Sequence, residues 1–141
     1  MANPNIVNVS TINGTTAYIS PATTGPIATW TYADPTTSGS VALTGLTPAS
    51  GTVNKINNIT VANTSNLTVS VSVAISNNPV YASGTPYYIA YAISVPANAT
   101  LIVTDKTTAF YVTQFQSVGV SASTGSGALT IVASFEAITS P

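Results

Sequence analysis

The sequence predicts an all-β chain, a two-sheet antiparallel β-sandwich of the jelly-roll or immunoglobulin-like kind with almost no helix. Three observations carry this. Apolar and polar residues alternate with period two through the second half of the chain. Turn-forming residues recur between the alternating runs. No segment sets apolar residues at i, i+3, i+4 and i+7 over a helical length.

Three strands are written most clearly. Leu67, Val69, Val71, Val73 and Ile75 alternate with Thr68, Ser70, Ser72 and Ala74. Tyr87, Ile89, Tyr91, Ile93 and Val95 alternate with Tyr88, Ala90, Ala92 and Ser94. Leu129, Ile131, Ala133 and Phe135 alternate with Ala128, Thr130, Ser134 and Glu136. A period of two puts each apolar set on one face, as in an antiparallel sheet packed on a single side. Weaker strands are expected over Asn5–Ile12, Thr15–Ser20, Ile27–Tyr32, Gly39–Leu43, Val53–Ala62, Ala99–Thr104, Ala109–Thr113 and Ser117–Ala122. Asn13-Gly14, Gly25-Pro26, Pro48 to Gly51, Asn77-Asn78-Pro79 and Pro96-Ala97-Asn98 stand between them as turns. Asn13-Gly14 in particular has the composition of a two-residue hairpin loop.

One domain over residues 1–141 is expected, since 141 residues match one hydrophobic core. Residues 1–12 form a candidate N-terminal strand or arm. Residues 20–50, rich in Thr, Gly and Pro and poor in alternation, form a candidate excursion beside the sandwich.

Charge is where the composition departs from the ordinary. Charged residues make up 4 % of the chain, against roughly 25 % in a typical soluble domain. The inventory is Asp34, Lys55, Asp105, Lys106 and Glu136, with no Arg, His or Cys. Two lysines cannot build a basic stripe, so no nucleic-acid partner is expected. Zinc sites lack their ligands, no Asp-rich loop suggests calcium, and no cofactor is expected. A mean hydropathy of +0.39 argues for folding rather than disorder. A net charge of −1 leaves little repulsion between copies, which suits a subunit of an assembly.

Met1-Ala2-Asn3-Pro4-Asn5 lacks the basic and apolar regions of a secretory signal, so a cytoplasmic product is expected. No run approaches the roughly 18 apolar residues of a membrane-spanning helix, and no membrane association is expected. Sequons at Asn8, Asn58, Asn66 and Asn98 arise by chance in so Ser-, Thr- and Asn-rich a chain, and no glycosylation is assigned.

Catalysis finds little support. General acid–base chemistry needs His or a carboxylate pair in one pocket. Asp105-Lys106 reads as a solvated turn pair, Asp34-Pro35 as a turn start, and Glu136 as an exposed or edge-facing charge. The hydroxyls have no histidine to activate them, and Gly125-Ser126-Gly127 reads as a loop. The expectation is that the chain is not an enzyme.

Aromatic residues are the remaining candidates for a binding surface. Tyr87, Tyr91 and Phe135 are expected to fill the core. Tyr81, Tyr88, Tyr111 and Trp30 divide between core and interface, and Phe115 stands in a turn. Together with Ile6, Val7 and Val9 of the N-terminal arm, Trp30, Tyr81, Tyr88, Tyr111 and Phe115 are the candidate interface residues.

The wording of the chain carries a resemblance. Met1-Ala2-Asn3-Pro4-Asn5-Ile6-Val7-Asn8-Val9 opens it, and Val53-Asn54-Lys55-Ile56-Asn57-Asn58-Ile59-Thr60-Val61-Ala62-Asn63 follows. Ile93-Ser94-Val95-Pro96-Ala97-Asn98-Ala99-Thr100-Leu101-Ile102-Val103, then Ser117-Val118-Gly119-Val120-Ser121-Ala122 and Ala133-Ser134-Phe135-Glu136, complete the pattern. It resembles small virion structural proteins of marine and cyanobacterial tailed phages, over the N-terminus and residues 53–136. Thr113-Gln114-Phe115-Gln116 departs from the acidic, glycine-containing turn expected there, which leaves that loop's partner open.

The resemblance implies a small β-sandwich without catalytic residues, a capsid decoration or cement protein located in the virion and assembled in the host cytoplasm. Partners would be the major capsid protein or other virion proteins and further copies of the chain, a trimer being the first expectation. A collar, tail or fibre accessory is the second reading. A carbohydrate- or receptor-binding module that meets a host surface glycan is the third.

Overall fold

The computed structural model describes residues 9–33 and 39–140. Ten strands lie among these residues: β1 (Thr11–Ile19), β2 (Thr29–Ala33), β3 (Ser40–Thr44), β4 (Thr52–Asn63), β5 (Val69–Ser76), β6 (Pro86–Val95), β7 (Thr100–Thr104), β8 (Phe110–Val112), β9 (Ser117–Ala122) and β10 (Leu129–Thr139). The only helical turns among the described residues are two three-residue 3₁₀ turns, Tyr81–Ser83 and Lys106–Thr108.

The strands form two antiparallel sheets, a β-sandwich as the alternation predicts. The larger has the order β3-β2-β1-β10-β4-β7, with β8 also pairing β4. β7 and β8 lie end to end on one edge of β4, the first against Ile59–Ala62 and the second against Asn54–Ile56. The smaller sheet has the order β6-β5-β9. Between the sheets Ile56, Ile59 and Val61 of β4, and Leu129, Ile131, Ala133 and Phe135 of β10, meet Val69, Val71 and Val73 of β5 and Val118 and Val120 of β9. This shared core removes the apolar faces of both sheets from water, the main favourable term in folding.

Asn13-Gly14 does not turn the chain. Both residues lie inside β1, where Asn13 pairs with Ala137 and Gly14 with Glu136. The β10 strand offers β1 a continuous partner from Thr11 to Ile19, and that ladder outweighs local turn propensity. Thr11 and Ile12, expected in an arm, therefore belong to the chain's own sheet, while residues 1–8 lie outside the described ones.

Residues 20–50, the candidate excursion, supply β2 and β3 to the large sheet and Trp30 and Leu46 to the core. Their loops also close one side of the sandwich. Ile27 and Val120 exchange two backbone hydrogen bonds of 2.8 Å, and Val118 donates to the Gly45 carbonyl at 2.7 Å. Gly45 adopts φ +68°, and a Cβ there would collide with the side chain of Ser117, so this close approach requires glycine. The outer edge of β9 is thereby covered.

Buried polar groups are satisfied, with no orphan side-chain atom among the described residues. The buried Asn63 amide donates to the carbonyls of Leu67 (2.7 Å) and Val95 (2.9 Å). Its carbonyl accepts from the Ser65 amide (3.0 Å) and hydroxyl (2.8 Å). One side chain at the end of β4 thus holds the following loop and the end of β6.

Glu136 is not an edge residue. It lies on β10, flanked by β1 and β4, opposite Lys55, and its carboxylate accepts from Asn57 Nδ2 at 3.0 Å. The Asp105-Lys106 pair does occupy an exposed turn. Asp105 caps the 3₁₀ turn through Thr107 N at 2.9 Å, and its hydrogen bonds to Thr107 hold the carboxyl below its ordinary value.

Candidate interaction surface

The strand β6 departs most from its sequence pattern. Perfect alternation over Tyr87–Val95 would bury one face, yet only Val95 is buried. Tyr87 is 58 % exposed and Tyr91 66 %, so the expectation that they fill the core is corrected. Ile89 and Ile93 are exposed as well.

The reason is in the register. Val71 pairs with Ile93 and Val73 with Ala90, so Tyr91 and Ala92 together oppose Ser72. Ala74 then pairs with Tyr88, leaving Ile89 as a second extra residue. Each insertion shifts the side-chain phase, and two of them break the single apolar face that strict alternation promises. Ala92 takes φ +50° at the first bulge, and its N–H is satisfied by Ser72 Oγ at 2.8 Å.

The result is a long edge strand with apolar side chains in water. β6 pairs with β5 on one side and with no strand on the other among the described residues. Among the described residues, five of the twelve exposed large hydrophobics, Tyr87, Tyr88, Ile89, Tyr91 and Ile93, sit on it, so exposure is concentrated there rather than scattered. Lysines and inward charges are the usual protection of an edge. None stands here, because no charged residue occurs between Lys55 and Asp105.

The tyrosines are held in place. Tyr88 and Tyr91 stack edge to face, with ring centroids 4.7 Å apart and planes at 74°. The Tyr81 ring lies over Gly119 of β9, where a Cβ would come within 2.6 Å of it. Burial, and after it the neighbouring Tyr88, keep the Tyr81 phenol above its ordinary value. The loop that carries Tyr81 is pinned by Val80 N to Asn78 Oδ1 (2.8 Å), Thr85 N to Asn77 Oδ1 (2.8 Å) and Ser117 Oγ to Asn78 O (2.6 Å).

The other candidates fall elsewhere. Trp30 is 0 % exposed, and its Nε1 donates to the Val118 carbonyl at 3.0 Å. It joins the sheets from inside and is not a surface residue: the Thr-rich run around it hides a core strand. Tyr111 on β8 and Phe115 in the turn before β9 are exposed, and Val9 is half-buried beside β1. Ile6 and Val7 lie outside the described residues. The structure therefore brings Tyr81 and Tyr88 together and adds Tyr87, Tyr91, Ile89 and Ile93, which alternation had assigned to the interior. No signal in the sequence marks the bulges.

A cleft of about 300 Å³ opens on the large sheet, lined by Thr15, Tyr32, Leu43, Pro48, Phe135 and Thr139 among others. Its polar groups are largely engaged: Thr52 with Thr139, Thr47 Oγ1 with the Gln116 carbonyl, and Asn54 Nδ2 with the Leu46 carbonyl. Ligand sites usually add a few unengaged polar groups that fix orientation. The described residues hold no group of three or more His, Cys, Asp or Glu that could bind a metal ion. No family model, no curated protein and no solved structure matches the chain.

Proposed function

We propose that this chain is a non-enzymatic structural subunit of a tailed-phage virion, a decoration or cement protein on the capsid surface. The observation that carries the proposal is β6, a ten-residue edge strand bearing exposed tyrosines and isoleucines in a stretch without charge. A subunit that stays in one assembly has use for such a surface, whereas a freely diffusing protein is put at risk by it. The resemblance of the sequence to small virion proteins supports the same reading. Partners are the major capsid protein or other virion proteins, and further copies of this chain arranged as a homo-oligomer, a trimer in the first instance.

A collar, tail or fibre accessory has the same physical needs and differs in abundance. Quantitative mass spectrometry of purified particles separates the two. A copy number near that of the major capsid protein, or near one third of it, is expected for decoration. A few copies per particle place the chain in the neck, tail or fibres, and absence from particles refutes the virion reading.

A further inference from the structure

We infer that β6 is the surface through which this chain docks on a second copy of itself, by side-chain packing rather than by extension of the sheet. The inference concerns self-association alone and stands or falls separately from the virion reading.

Among the described residues the small sheet is open on one side only. β9 is covered by Ile27 and Gly45, so a partner strand has no access there. Among the described residues no strand pairs the outer edge of β6 over its ten residues, whereas β3 and β7, at the rims of the large sheet, have five each. An open edge usually invites another strand to continue the ladder. Here the bulges at Tyr91-Ala92 and Ile89 break the hydrogen-bonding register in the middle of the edge, so unlimited sheet growth is blocked. The side chains are left as the adhesive element. They are also preorganised, Tyr88 against Tyr91 and Tyr81 on its pinned loop, which lowers the entropy lost on docking.

Area and charge select the occupant. With about 200 Å² per fully exposed aromatic or large aliphatic side chain, Tyr87, Tyr88, Ile89, Tyr91 and Ile93 present about 500 Å² of mostly apolar surface. Pro86, Ala92 and Ser94 are exposed along the same strand and extend it. That approaches the ~800 Å² that each partner contributes to a standard stable interface. A second copy brings an identical uncharged patch, so docking strands no buried charge and meets no repulsion at a net charge of −1. Partners with ordinary charged surfaces would have to desolvate those charges against tyrosine rings.

The test is the molar mass of the whole chain by light scattering, measured from low to high micromolar concentration. Wild type is expected to form an oligomer of two or three copies. Tyr91→Lys and, separately, Ile93→Lys are expected to weaken association by about 100-fold, as loss of a central contact does. Both side chains are exposed, so their far-ultraviolet dichroism and melting as monomers should stay close to wild type. Ile12→Lys and Tyr18→Lys, exposed on β1 of the other sheet, should leave the oligomer intact. A monomeric wild type overturns the inference. So does an oligomer that survives both β6 substitutions, and one lost only on deleting residues 1–9 would assign the contact to the N-terminal segment. Presence in particles is a separate readout, which keeps failure of this inference distinct from failure of the proposed function.

Discussion

Replacing Asn63 by Ala severs four hydrogen bonds at the point where the central sheet holds the end of β6. At about 1 kcal/mol net per neutral bond, a simple sum gives about 4 kcal/mol. Ser65 and Leu67 lie near water, which takes over their bonds, but the Val95 carbonyl is buried with its residue and loses its side-chain donor. Val95 stays paired with Val69 in the β5–β6 ladder, so its carbonyl loses a second, buried bond rather than its only one, and the expected loss is about 1–3 kcal/mol.

Asn63→Asp sharpens the argument at nearly constant volume. Its carboxylate would point acceptors at the carbonyls of Leu67 and Val95, so burial and repulsion raise the folded pKa above the ordinary value near ~3.9. A raised pKa means that the folded state holds the proton more tightly. Stability is then fully present below that ordinary value and falls as pH rises, by about 1.4 kcal/mol per unit, until the folded pKa is passed. Denaturant unfolding followed by Trp30, the single and fully buried tryptophan, reads both effects. Protein concentration must be fixed, because association adds to apparent stability. An Asn63→Ala loss under about 0.5 kcal/mol would refute the reasoning. So would an Asn63→Asp deficit, relative to wild type, that is equal at mildly acidic and neutral pH.

Three further outcomes are expected. Trypsin should cleave the native protein after Lys106, in its exposed turn, and spare Lys55, which pairs on both sides within β4; intact-mass analysis of the digest checks this. Gly119→Ala should displace the Tyr81 ring at a cost of about 1–3 kcal/mol, read as a lower melting temperature, whereas Gly14→Ala, with open space around its Cβ, should cost less. Tyr81 should ionise later than an ordinary phenol in an ultraviolet titration. Its raised pKa makes its contribution to stability fully present below about pH 10 and lost as pH climbs through the folded value. A titration in which all seven tyrosines ionise together near the ordinary value would contradict the Tyr81 environment.

Strand positions are legible in the sequence because alternation is a direct imprint of one buried face. Val69, Val71 and Val73 on β5, and Leu129, Ile131, Ala133 and Phe135 on β10, are buried as their spacing predicts. The same logic misplaces Tyr87 and Tyr91, since a bulge inserts a residue without altering the pattern around it. Asn13-Gly14 shows the opposite failure: a strong local turn signal yields to a partner strand more than a hundred residues away. Trp30 was hard to place because its neighbours are threonines, and only the long-range bond to Val118 shows which way it faces. The interaction surface was half visible, in that the sequence groups the tyrosines but does not say that their strand lies at an open edge.

The position of β10 bears on how the chain comes to be folded. It lies between β1 and β4, holding the two halves of the large sheet together, yet it is synthesised after the other nine described strands. The bond from Ser10 to Thr139 spans 129 positions, and topologies rich in such distant pairings fold slowly. Until β10 leaves the ribosome, β1 and β4 each wait with an unfilled edge, and the apolar residues of the nascent chain stay in water. The large sheet therefore closes only once β10 is available, and aggregation risk is greatest while β1 and β4 still wait for it.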